Sequence, residues 1–101
     1  MAETSLARAG DKLLRSRGAY FINVHGTVVG DTGTPDRICC YRGRFLAIEW
    51  KQPRGHLTVK QRWHLDRVIR AGGTAIVATS TADLERALDT IDYSPTYGTP
   101  R

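Results

Sequence analysis

Gly43-Arg44-Phe45-Leu46-Ala47-Ile48-Glu49-Trp50-Lys51 is the stretch from which the rest of the chain can be placed. Leu46, Ile48 and Trp50 alternate with Phe45 and Ala47, so a strand here has two apolar faces. Such a strand belongs inside a sheet covered on both sides, as in α/β proteins. It nevertheless ends on Glu49 and Lys51, which lie two apart and project to the same face while Trp50 points away. A charged pair at the end of a doubly buried strand calls for a reason.

Upstream, Asp36 to Tyr41 reads as a second strand, and the short link through Arg42 and Gly43 predicts an antiparallel hairpin. Asp36, just after the Gly33-Thr34-Pro35 turn, then falls at the same open end of the sheet as Glu49. Ala19 to Val24 gives an earlier strand. Thr4 to Arg17 gives a helix with Leu6, Ala9, Leu13 and Leu14 on one side and Gly18 as its stop. The glycine-rich segment from His25 to Pro35 reads as a loop. Downstream, Thr58 opens a helix running to about Ala71, with Val59, Trp63, Val68 and Ile69 as apolar contacts and Trp63 in the core. Thr74 to Thr79 is a fourth strand. Ser80 and Asp83 cap a last helix that ends near Ile91. The order is α-β-β-β-α-β-α, an α/β fold with one mixed β-sheet flanked by helices. The expected domain is 1–92, and residues 93–101 are expected to form a flexible tail.

The 101 residues allow a single modest core, which pairing with a copy of itself can extend. No apolar run is long enough to span a bilayer, and the N-terminus lacks the features of a signal peptide, so no membrane association is expected. Cys39 and Cys40 are adjacent and point to opposite faces of a strand. They are expected to be small buried thiols in a reducing cytoplasm, without a disulfide. The formal net charge is +5. From Arg37 to Arg70 nine arginines and lysines face only Glu49 and Asp66, which suggests a polyanionic partner such as nucleic acid. His25, His56 and His64 have no zinc-ligand spacing.

Two carboxylates and an ammonium at one sheet end suit phosphodiester hydrolysis. Magnesium needs only one or two carboxylates and keeps several waters. It lowers the pKa of a bound water that can attack phosphorus. A lysine beside it can orient that water or stabilise the developing charge. The Trp50 backbone carbonyl, between the two side chains, is a further candidate ligand. A plain surface ion pair is the alternative reading of Glu49 and Lys51, worth under about 1 kcal/mol.

Gly33-Thr34-Pro35-Asp36 and the Gly43 to Lys51 stretch, continued through Gly55-His56-Leu57-Thr58, Gln61 and Ala71-Gly72-Gly73, resemble the VRR-NUC branch of the PD-(D/E)xK nuclease superfamily. The resemblance covers roughly residues 3 to 90 and is strongest to the compact stand-alone form of phages and prophages. It implies a restriction-endonuclease-like core and a magnesium- or manganese-dependent DNA endonuclease. Asp36 and Glu49 would be metal ligands, with the Trp50 carbonyl beside them, and Lys51 the catalytic lysine. Gln61 matches an active-site glutamine, although Thr58 and Gln61 also have the spacing of a capping box. Glu3 resembles an acidic residue that many members carry near the metal. Arg54, Lys60, Arg62 and Arg67 are candidate phosphate contacts, and His25 could approach DNA. The resemblance further implies a homodimer acting on branched DNA such as a four-way junction, in the cytoplasm of a bacterial host. A nucleic-acid-binding module on the same fold that does not cut is the alternative. Trp50 departs from the family, which usually has a β-branched or small apolar residue there; a tryptophan should add core burial.

Overall fold

The computed structural model describes residues 4–24 and 32–94, as α1 (Ser5–Ser16), β1 (Tyr20–Asn23), β2 (Arg37–Tyr41), β3 (Arg44–Trp50), α2 (Val59–Arg70), β4 (Thr74–Ala78) and α3 (Thr81–Asp92). Glu3, His25 and residues 95–101 of the expected tail lie outside the described residues. The order is the one read from the sequence. No helix among the described residues is long and apolar enough to cross a membrane.

The four strands form one mixed sheet in the order β1-β2-β3-β4. β1 and β2 are antiparallel, as are β2 and β3, whereas β3 and β4 are parallel and joined through α2. The hairpin turns on Arg42 and Gly43, both at positive φ, and Tyr41 pairs with Arg44 across it. Two consecutive left-handed residues match the strand twist. The turn arginine is braced from outside by an ion pair with Asp92 and lies over the Tyr41 ring.

One face of the sheet carries the core. Cys39, Tyr41, Leu46, Ile48 and Ala78 project from the strands and meet Leu14 of α1 and Leu84, Leu88 and Ile91 of α3. Each helix is capped as its sequence requires: Thr4, Thr58 and Ser80 accept from Ala7, Gln61 and Asp83 backbone N–H groups. The buried side of α1 is Ala7, Gly10, Asp11 and Leu14, while Ala9, expected on the apolar side, is exposed. Small residues let α1 approach the sheet closely. A Cβ on Gly10 would stand 2.3 Å from Cη2 of Trp50, so the bulk that Trp50 adds is matched by its absence on α1.

α2 covers the other face only in part. Leu65 is buried beneath it and Val68 half-buried. The expectation that Val59, Trp63 and Ile69 pack inward is corrected: they are 85%, 55% and 54% exposed. With 100° between residues, Gln61, Leu65 and Val68 form the inward stripe, and Trp63 lies on the opposite side of the helix. Tyr20 and Ile22 of β1 and Phe45 of β3 share this second sheet face and remain exposed. Cys39 is buried and both thiols are free, but Cys40 is exposed, contrary to the expectation that both are buried. The reason is its place on the half-covered face.

Candidate active site

Leu46 to Glu49 are all buried, so β3 delivers Glu49 to the end of the sheet inside protein, 3% exposed. Lys51, at the exit of the strand, returns to the same side, with its Nζ 3.9 Å from Glu49 Oε2. The Lys51 backbone N–H donates to the Ala78 carbonyl at 2.9 Å, which continues the β3–β4 ladder one residue past the strand and fixes where the lysine emerges.

Asp36 reaches the same place from β2. Its Oδ2 accepts the Trp50 backbone N–H at 2.7 Å. Its carbonyl accepts from the Val24 N–H at 3.2 Å and from Arg37 Nη1 at 3.1 Å. Main chain and side chain of Asp36 are thus both held by neighbouring strands. The turn before it is pressed onto α2: Gly33 has φ +84°, and a Cβ there would stand 2.7 Å from Cβ of Lys60 and 2.9 Å from N of Gln61. Only glycine permits that approach.

Gln61 makes a contact at each end of its amide, one to the helix cap and one to Glu49. Its Oε1 accepts the Thr58 N–H at 2.9 Å, closing the capping box, and its Nε2 donates to Glu49 Oε2 at 3.0 Å. One amide side chain therefore ends the helix and orients the carboxylate.

Glu49 Oε2 is occupied by Gln61 and Lys51, whereas Oε1 is buried without a hydrogen-bond partner. Burial, then the negative charge of Asp36, pushes the Glu49 carboxyl up to about 7, with Lys51 opposing. Two carboxylates crowded in a dry corner, one with a bare oxygen, are an arrangement that a divalent cation would relieve. The donors are hard oxygens, which suit magnesium or manganese. Among the described residues no group of three or more His, Cys, Asp or Glu side chains gathers to hold a metal; the convergent carboxylates are Asp36 and Glu49.

Asp11 had no signal of its own in the sequence beyond lying on the first helix. In the structure its two oxygens accept from Nε and Nη2 of Arg37 at 2.8 and 2.9 Å, a bidentate pair with Arg37 2% exposed. Arg37 also holds the Asp36 carbonyl, so this pair links α1 to the site. In the sequence Arg37 stands out only as part of the basic segment. Arg54, Lys60, Arg62 and Arg67 are exposed, Arg54 on the β3–α2 loop and the others along α2.

A solved structure described as a VRR_NUC domain superposes on this chain with a TM-score of 0.71, covering 83% of this chain and 90% of that one at 16% sequence identity. The fold is that of a VRR_NUC domain. The mixed sheet with helices on both sides is the restriction-endonuclease-like arrangement expected of the VRR_NUC fold, and Asp36, Glu49 and Lys51 lie together at one end of it. No family description matches the sequence, nor does any curated protein.

Proposed function

We propose that this chain is a divalent-metal-dependent DNA endonuclease of the VRR-NUC kind. The observation that carries the proposal is the Glu49 carboxylate: it is buried, held on one oxygen by Gln61 and Lys51, and bare on the other beside Asp36. A stability role alone gives no reason for such a cluster, because leaving one buried carboxylate oxygen unsatisfied costs about 1–3 kcal/mol or more.

Asp36, Glu49 and the Trp50 carbonyl would hold magnesium or manganese, which when bound supplies charge neutralisation and an acidified water. The chain's own residues do the rest. Gln61 keeps Glu49 oriented, and the Trp50 N–H keeps Asp36 turned towards it. Lys51, 18% exposed at its side chain, is close enough to reach substrate while paired to Glu49, and places positive charge where phosphoryl oxygens become more negative. Lys60, Arg62, Arg67 and Arg54 supply phosphate contacts around it. We assign branched DNA such as a four-way junction as the substrate class. The acting form would be a homodimer whose two sites are related by a twofold axis. Two free adjacent thiols suit a reducing bacterial cytoplasm, phage-infected or prophage-bearing.

The test is cleavage of labelled duplex, flap and four-way-junction DNA with manganese, comparing the wild type with Lys51→Ala. Cutting should fall by about 10²–10³ in the variant, the range for removing one charge-stabilising group, while binding persists. A wild type that binds these DNAs but cuts none with any divalent metal would make the chain a binding module on the same fold.

A further inference from the structure

On the outer flank of α2 only the cations Lys60, Arg62 and Arg67 enter the site just described, while the exposed rings beside them have no role in it or in the fold. Trp63 is 55% exposed; the neighbouring His64 ring meets it edge-on at 5.0 Å, and the Arg67 guanidinium lies 5.6 Å from its centre. Two shallow cavities share His64 as a wall. One, of about 360 Å³, runs along Val59, Lys60 and Trp63; the other, of about 430 Å³, lies between Arg67 and the exposed Phe45 ring. Along this helix Lys60, Arg62, Arg67 and Arg70 are opposed by one acid, Asp66.

We propose that this flank is a track for an unpaired DNA strand, with nucleobases stacking on Trp63 and Phe45 and phosphates held by Lys60 and Arg67. It rests on the nuclease reading for its choice of DNA and goes beyond it by adding a second, chemically distinct binding surface. Interleaved rings and cations are what a single strand needs: a π-face for each base and a positive path for the backbone. A base inside a duplex is stacked on both sides and has no free face to offer Trp63.

The same charges disfavour other occupants. A second copy meeting this flank across a twofold axis would set Lys60, Arg67 and Arg70 against their own counterparts. The buried centre of a protein interface is depleted of lysine in particular. Gln61 and Trp63 lie on opposite sides of a helix roughly 10–12 Å across with its side chains. The stacked base is therefore displaced from the phosphate at Glu49, and Trp63 sets which strand is engaged without touching the bond that breaks.

The experiment is metal-free binding in chelator, by anisotropy of a labelled oligothymidylate and of a blunt duplex of equal length. Wild type, Trp63→Ala and Trp63→Phe are compared, with melting temperatures recorded for each. Single-strand affinity should fall at least about fivefold in Trp63→Ala, with duplex affinity and melting temperature unchanged and most of the loss restored in Trp63→Phe. In the wild type the single strand should quench tryptophan emission. Trp63→Phe leaves Trp50 as the sole tryptophan and should lose the quench. Equal losses on both DNAs, no loss, a quench that survives in Trp63→Phe, or a change in solution mass on substitution would each overturn the track. Adding manganese to the same samples reads the nuclease separately. A protein that binds through Trp63 but never cuts keeps the track and loses the nuclease; one that cuts with no dependence on Trp63 does the reverse.

Discussion

Gln61 joins two functions through the two ends of one amide, and that makes them separable. Replacing it with glutamate keeps an oxygen that can accept the Thr58 N–H and close the capping box. It also exchanges the donor to Glu49 for a like charge. Gln61→Glu should therefore keep the cap, lose some stability through the like charge beside buried Glu49, and abolish metal-dependent cleavage. Thr58→Ala should instead cost about 1 kcal/mol of stability with cleavage largely kept, as thermal melts and nuclease assays on the pair would show. Equal effects of the two changes on cleavage would leave Gln61 as a cap alone. Glu49 gives a second prediction. Its folded carboxyl titrates at about 7 against an ordinary 4.5, so between those values the folded chain holds a proton that the unfolded chain releases. The metal-free contribution of Glu49 to stability should accordingly decline as pH rises from about 4.5 to about 7 and stay level above. Manganese should raise the melting temperature most above that window and little below it. The difference between wild type and Glu49→Gln across pH isolates the effect; a difference that does not change with pH would sink it.

At the scale of elements, the Asp11–Arg37 pair is how α1 reaches the site. Asp11→Ala removes the carboxylate that accepts from both Nε and Nη2 of buried Arg37 and should cost about 3–5 kcal/mol. Asp11→Leu with Arg37→Met should recover most of that stability, yet still cut DNA poorly, because the Asp36 carbonyl loses its Arg37 donor. Full activity in the double variant would show that the pair serves only the fold. This link also marks the limit of what the sequence displayed. Strand alternation, the Arg42-Gly43 turn and the caps at Thr58 and Ser80 are local, and they placed every element within about a residue or two. Asp36, Glu49 and Lys51 were legible together because a two-residue strand spacing and one hairpin register bring them to one sheet end, whereas Gln61 was legible through the family resemblance and its capping-box spacing from Thr58. Asp11 was not, since a lone carboxylate on an amphipathic helix looks solvated until its partner across 26 residues is known. Trp63 misled for a different reason. Its apolar character suggested the inward stripe, but α2 lies on a half-covered sheet face and buries Leu65 and Val68 instead.

Across the whole molecule the two ends of the sheet differ in kind. At the end away from Glu49, the Asp92 carboxylate takes hydrogen bonds from Tyr41 and Arg17 and an ion pair from Arg42, tying α1, α3 and the hairpin. Partial burial works against its ionisation, but these donors outweigh it and hold the carboxyl below its usual range. That end is closed, whereas the Glu49 end keeps a bare oxygen. On the half-covered face, Tyr20 and Ile22 of the edge strand are exposed and carry none of the cations of α2. This surface is the candidate for the proposed homodimer contact. Ile22→Asp should reduce the solution mass by half in light scattering while leaving the melting profile of the monomer cooperative. A wild type that is monomeric at every concentration tested would remove the assignment.

The adjacent cysteines turn this geometry into a handle. Burial pushes the Cys39 thiol up to about 12, so it is un-ionised and shielded at neutral pH, while Cys40 stands exposed on the opposite side of the same strand. A maleimide or nitroxide reagent should thus mark one position per chain with no engineering. Cys40 pairs across the strands with Tyr20, so the label would sit beside the surface where a twin is expected. A single inter-label distance in frozen solution would report the assembled pair, and protection of that thiol on concentration would map its edge.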